Sequence, residues 1–190
     1  MIHWIGQLQN ILSQSYTEQN AYDFKQGFTR LDGSAAFDED NFTKILKTAV
    51  GIANIRRGYR GYILVGVADK ASDAERVKTL YGAEAIIFEG FSIVGVDGET
   101  QALGKTHDQM FQMIVEKVRN SPLSSPLKDH IVRHIKAVRY YDKTIYVFDV
   151  EAQEDPSHYD GEYFVRNGAQ LGEIPTTELT GFIRRFDRGG

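Results

Sequence analysis

Apolar positions recur along the chain with two different periods, and the switches between them predict the order of elements. Trp4, Ile5, Leu8, Ile11 and Leu12 fall three or four apart, one stripe of an α-helix over roughly 2–15. Ala21 to Lys25 alternates instead. Tyr22 and Phe24 share one face of a half-buried strand, and Asp23 and Lys25 share the other. Gly27 to Phe37 is polar and glycine-broken, hence a loop, after which Asp38 or Asp40 caps a helix carrying Phe42, Ile45, Leu46, Ala49, Val50 and Ala53. Asn54 to Gly61, with three arginines and two glycines, reads as a turn. It leads into the apolar run Tyr62 to Val67, which predicts a central strand buried on both faces.

Beyond that strand, Ala68 to Glu89 is charged and gives no clear period, apart from short strands at Ala85 to Phe88 and Phe91 to Val96. Thr106 with Gln109 forms a capping box for a helix through Met110, Phe111, Ile114, Val115 and Val118, with Pro122 and Pro126 closing the segment. Ile131 to Tyr141 and Thr144 to Glu151 are β-rich runs around Asp142-Lys143, a hairpin. Glu162 to Arg166 reads as a last strand, and Thr176 or Thr177 caps a terminal helix with Leu179, Phe182, Ile183 and Phe186. Together these predict an α+β fold: a mixed, largely antiparallel sheet with helices packed on it. Loops are short and no repeat interrupts, so a single domain over 1–190 is expected, with flanking helices at 1–15 and 176–186. The final Arg-Gly-Gly has no capping residue, so a module cut from a longer protein is expected.

Composition excludes more than it assigns. With 42% hydrophobic and 25% charged residues the chain is neither disordered nor a coiled coil. Its formal charge of −4 gives no overall positive field, so contact with nucleic acid needs a local patch. Cysteine is absent, which removes thiolate zinc sites and cysteine nucleophiles. No apolar run reaches the ~18 residues that would span a bilayer, and no basic segment precedes an apolar one at the amino terminus. A cytoplasmic location without membrane partners is expected.

Among the polar residues, Asp23-x-Lys25 is the first candidate for chemistry. A carboxylate can hold a divalent cation while a neighbouring ammonium stabilises charge building on a phosphate. By itself such a pair is more often a solvated strand face. Asp69 follows the central strand, and strand carboxyl ends are where open sheets commonly place their sites. Glu18 stands five residues before Asp23, an offset of about 140° on a helix, so a break at Gln19-Asn20 must turn it toward Asp23. It is equally a partner for Lys25. Three hard oxygen donors would suit Mg²⁺ or Mn²⁺. Arg56, Arg57 and Arg60 are the best candidates for a phosphate contact, and as readily a solubilising surface loop, and a six-residue strand of about 20 Å separates their turn from Asp69. Arg166 could pin a chain end, a carboxylate or a phosphate. Arg133, Lys136 and Arg139 do not share one strand face. His130 and His134, on a strand, would stand about 13 Å apart, too far for one metal. Gly104-Lys-Thr106 lacks the earlier glycine of a phosphate loop, so ATPase chemistry has no support.

Taken in order, these motifs resemble the Schlafen core, or AlbA-like domain. They are Glu18 to Lys25 (acid, four residues, acid-Phe-Lys), Ala53-Asn54, Gly66-Val-Ala-Asp69, Ile93 to Val96, Lys143 to Val150, Pro156 and Tyr163 to Gly168. Asp23 stands where Glu is commoner, Asn54 to Gly61 replaces an Asn-Thr-Gly-Gly turn, and the 70–90 segment is long for the family. The resemblance implies a metal-dependent endoribonuclease acting on structured RNA such as tRNA. Glu18, Asp23 and Asp69 would then hold Mg²⁺ or Mn²⁺ and Lys25 would assist, with Arg56, Arg57, Arg60 and Arg166 on the nucleic acid. The alternative, motivated by the acidic net charge, the altered arginine turn and the Gly-Gly end, is a non-catalytic module binding nucleic acid, RNA or DNA, or protein within a larger regulatory or phage-defence protein. A fused effector domain, or a homodimer that doubles the contact patch, would accompany either.

Overall fold

The structure is a computed structural model that describes residues 2–17 and 19–188. Helix α1 (Ile2–Ser15) buries Leu8, Ile11 and Leu12, as its stripe predicts, and a 3₁₀ turn at Gln19–Ala21 leads into strand β1 (Tyr22–Lys25). Helix α2 (Glu39–Ala53) crosses to β2 (Arg60–Val65), which lies parallel to β1 with Asp23 opposite Ile63 and Lys25 opposite Val65. Asp38 caps α2, its carboxylate accepting from the Asn41 backbone N–H at 3.0 Å. With β6 (Lys136–Tyr140) and β7 (Lys143–Glu151), both antiparallel neighbours, the sheet order is β1-β2-β7-β6. Alternation along the strands separates two cores. Leu64, Val138, Ile145 and Val147 meet α1, while Ile63, Val65, Phe148 and Val150 meet α2.

The run from Tyr62 to Val67 is not one strand. Gly66 breaks it at φ +107°, a backbone conformation that only glycine adopts without strain, and its N–H donates to the Lys25 carbonyl at 2.8 Å. The chain then leaves the first sheet as β3 (Val67–Ala68) and pairs with β5 (Phe91–Ile93), which pairs with β4 (Ile86–Phe88). Glycine is required at position 61 for a different reason. A Cβ there would stand 2.3 Å from the Ala21 carbonyl oxygen, a backbone atom that cannot swing away. Gly61→Ala is therefore expected to lower stability by about 2 kcal/mol through overpacking, read from urea unfolding.

Several expectations are corrected. The 68–89 segment contains a helix, α3 (Ala71–Tyr81), whose apolar stripe is too thin to show in the sequence: only Ala74 and Val77 are buried. A short helix, α4 (Asp97–Ala102), precedes α5 (His107–Arg119), and α5 opens with the expected capping box. Ile131 to Tyr141 is not one strand. Helix α6 (Ser125–His134) occupies its first part, and Pro126 opens this helix rather than closing the segment before it, because proline's fixed φ suits a first helical turn. Arg133 therefore lies on a helix, and only Lys136 and Arg139 share β6. The last strand, β8 (Phe164–Asn167), forms a hairpin with β9 (Gln170–Glu173). Helix α7 (Thr176–Asp187) follows Pro175, with no threonine side-chain cap. Among the described residues no helix is long and apolar enough to cross a membrane.

Candidate functional site

The edge strand β1 brings together three of the singled-out residues. Asp23 and Lys25 share the α2 face, as the alternation predicts, with Lys25 Nζ 2.8 Å from Asp23 Oδ2. The third is Arg166, delivered by β8. Asn54, at the end of α2, holds that strand in place: its amide nitrogen donates to the Ser157 and Phe164 carbonyls and its oxygen accepts from the Ser157 N–H, each at 2.8 Å. Arg166 Nη2 then donates to the Tyr22 carbonyl at 2.7 Å and to Asp23 Oδ1 at 3.2 Å. Its side chain is only 3% exposed and that of Asp23 15%.

The three-acid site is not assembled from the described residues. Glu18 lies outside them. Asp69 is exposed beyond β3, toward the Lys25 end of the edge, and among the described residues no hydrogen bond or ion pair joins it to Asp23 or Lys25. Two cations flank the Asp23 carboxylate within 3.2 Å, which gives these three side chains a net charge of +1. A carboxylate neutralised twice over offers a divalent ion little charge. No group of three His, Asp or Glu side chains among the described residues is arranged to hold a metal.

The arginines of the turn and of the strand after it have neighbours within the fold. Arg60 belongs to β2, where Nε donates to Asp149 Oδ1 at 3.1 Å and Nη2 to Oδ2, and that buried carboxylate pushes the guanidinium pKa further up. The pairing holds Asp149 below the usual carboxylate range although burial opposes it. Arg57 meets Asp187 at 3.2 Å, and the Arg56 guanidinium lies 5.3 Å from the centre of the Tyr59 ring. His130 and His134 are corrected too. On α6 they stand one turn apart with ring centres 4.5 Å from each other, and His130 Nε2 is 3.5 Å from Asp149 Oδ1.

A residue absent from the sequence reading governs the loop after β1. Glu99 on α4 is buried, and its carboxylate accepts from the backbone N–H groups of Phe28 and Thr29 and from the Thr29 hydroxyl at 2.8–3.0 Å. Burial outweighs these bonds and pushes its pKa up to about 7. In sequence it is one acid in a short polar stretch, with no signal to mark it.

Asn54 tied to β8, and Arg166 closing on the Asp-Phe-Lys strand, join the beginning and end of the motif series in one place. The family model described as Schlafen, AlbA_2 matches residues 18–175. This chain belongs to that family. Membership in Schlafen, AlbA_2 suggests a nucleic-acid-related domain. The crystal structure of the DIP2311 protein from Corynebacterium diphtheriae is similar to this Schlafen domain in fold, with TM-score 0.50 and 15% identity. The match covers 95% of this chain and 29% of that one, so the Schlafen domain spans under a third of that protein's length. No curated protein matches the chain.

Proposed function

We propose that this Schlafen domain binds structured RNA through its phosphate backbone at the edge strand β1, without hydrolysing it, as one module of a larger regulatory or phage-defence protein. One observation carries the reading: the Asp23–Lys25–Arg166 cluster has a net charge of +1, with the Lys25 side chain still 23% exposed. Such a cluster attracts a phosphate oxygen more readily than a second cation. Arg166 is the fixed member, and Lys25 reaches the ligand.

A second reading, a metal-dependent endoribonuclease acting on structured RNA such as tRNA, is favoured by a single feature. Asp23 Oδ2 is buried without a directed hydrogen bond. That reading needs Glu18 and Asp69 to join Asp23.

Anisotropy of a labelled RNA hairpin, titrated with the protein over a series of KCl concentrations, separates the two. Lys25→Gln is expected to weaken binding about threefold and reduce the slope of log affinity against log salt by about 1. Gels of the same RNA incubated with Mn²⁺ should show no cleavage. Cleavage that disappears in both Asp23→Ala and Asp69→Ala would establish the endoribonuclease instead.

A further inference from the structure

On the face of the sheet opposite the Asp23 cluster, residues of α1 and of β1, β2, β6 and β7 line a cleft of about 560 Å³, within the range of small-ligand sites. Its composition is unusual for a surface groove. The half-buried Tyr62 lies on the floor nearly parallel to the buried Tyr22 beneath it in the core, their ring centres 6.3 Å apart and planes 16° apart, and Trp4 stands on the α1 wall. Cations line the other side. Lys136 Nζ is 4.9 Å from the centre of the Trp4 ring, and the Arg60 guanidinium is 5.7 Å from that of Tyr62, fixed in place by Asp149. Gln14 on α1 adds an amide, its oxygen accepting from the Tyr22 hydroxyl at 2.9 Å.

We propose that this cleft binds an unpaired nucleobase together with its phosphate. Flat aromatic surface, an amide for the base edge and the Lys136 ammonium at the rim are the three things such a ligand needs, Arg60 being already paired with Asp149 of the same cleft, whereas a purely anionic ligand would make no use of the rings. Because Tyr22 and Asp23 are consecutive on β1, their side chains leave opposite faces of the sheet, so the cleft is a separate site from the Asp23 cluster. The RNA-strand form of the proposal rests on the RNA-binding reading above; the base-plus-phosphate chemistry itself is shared by a free nucleotide.

Trp4 is the only tryptophan of the chain, so its emission, excited at 295 nm, reports on the cleft directly. The intact protein is titrated with 5′-UMP, 5′-AMP, a single-stranded octaribonucleotide and a blunt RNA duplex, while hairpin binding is followed separately by anisotropy. Saturable quenching by the octamer but not the duplex is expected, with Tyr62→Ala weakening it at least about tenfold. Lys136→Gln, at an exposed position, should weaken it about threefold and serves if Tyr62→Ala does not fold. Quenching by the mononucleotides alone would support the cleft with a free nucleotide as ligand and leave the RNA reading without support. Hairpin binding with Trp4 emission unchanged, and with both variants neutral, would overturn the cleft while sparing the RNA reading. No quenching by any ligand would overturn it as well, and loss of hairpin binding too would end both.

Discussion

Between pH 5 and pH 8 the folded protein is expected to lose on the order of 3 kcal/mol of stability, and Glu99→Gln is expected to flatten that slope. Below the ordinary glutamate value of 4.5 the carboxyl is protonated in both the folded and unfolded chains, and its contribution to stability is fully present. As pH rises, the unfolded chain ionises first while the buried carboxyl, raised to about 7, keeps its proton. The folded state thus binds more protons than the unfolded one in this window, and stability falls as pH rises through about 7 and then levels off. A shift from 4.5 to about 7 corresponds to roughly 3 kcal/mol at about 1.4 kcal/mol per unit. Asp97 and Asp149, both held below the usual range, act in the opposite sense, and only below about pH 4, outside the window. Urea unfolding at several pH values supplies the test. Parallel curves for wild type and Glu99→Gln would remove Glu99 as the cause.

The structural consequence of Glu99 ionisation falls on the loop after β1. Ionised or not, the carboxyl is the acceptor for the Phe28 and Thr29 N–H groups, and Phe28 is itself fully buried against Phe42, Tyr146 and Phe148. Because Phe28 stands three residues after Lys25, the Glu99 clasp ties the end of β1 to the core under α2.

The parts of this arrangement that were legible in the sequence are those with a strong period or a cap. The stripe of α1, the Asp38 cap of α2, the Thr106–Gln109 box and the placing of Asp23 and Lys25 on one face all follow from local rules. Failures occur where tertiary packing overrides them. Ile131, Val132, Ile135 and Val138 look like one β-rich run, yet the first two end a helix, and extended geometry begins only at Ile135, with ψ 138°. α3 was invisible because a helix covering a three-stranded sheet needs only two or three apolar residues. The candidate site was legible as a residue set and not as a geometry. Spacing put Asp23 beside Lys25, but nothing local says that an arginine 143 positions away arrives to neutralise the same carboxylate.

Replacing that arginine should have the largest effect on folding. Arg166→Met keeps the volume of the side chain and removes the donor, leaving the Tyr22 carbonyl and Asp23 Oδ1 without their partner in a site where Arg166 is 3% exposed. Breaking a buried pair by removing one member costs about 3–5 kcal/mol, and because Lys25 still faces the other carboxylate oxygen a loss of about 3 kcal/mol is expected. If the cost comes from a stranded charge, neutralising Asp23 should recover part of it. The double variant Asp23→Asn/Arg166→Met is therefore expected to be more stable than the sum of the single variants by at least about 1 kcal/mol in urea unfolding. Strict additivity would mean that Arg166 acts only through the Tyr22 carbonyl, and that the positive charge of the edge cluster is not set by an Asp23–Arg166 pair. In that case the phosphate-binding reading would rest on Lys25 alone, and Arg166→Met, at a temperature where it remains folded, would bind the RNA hairpin as tightly as wild type.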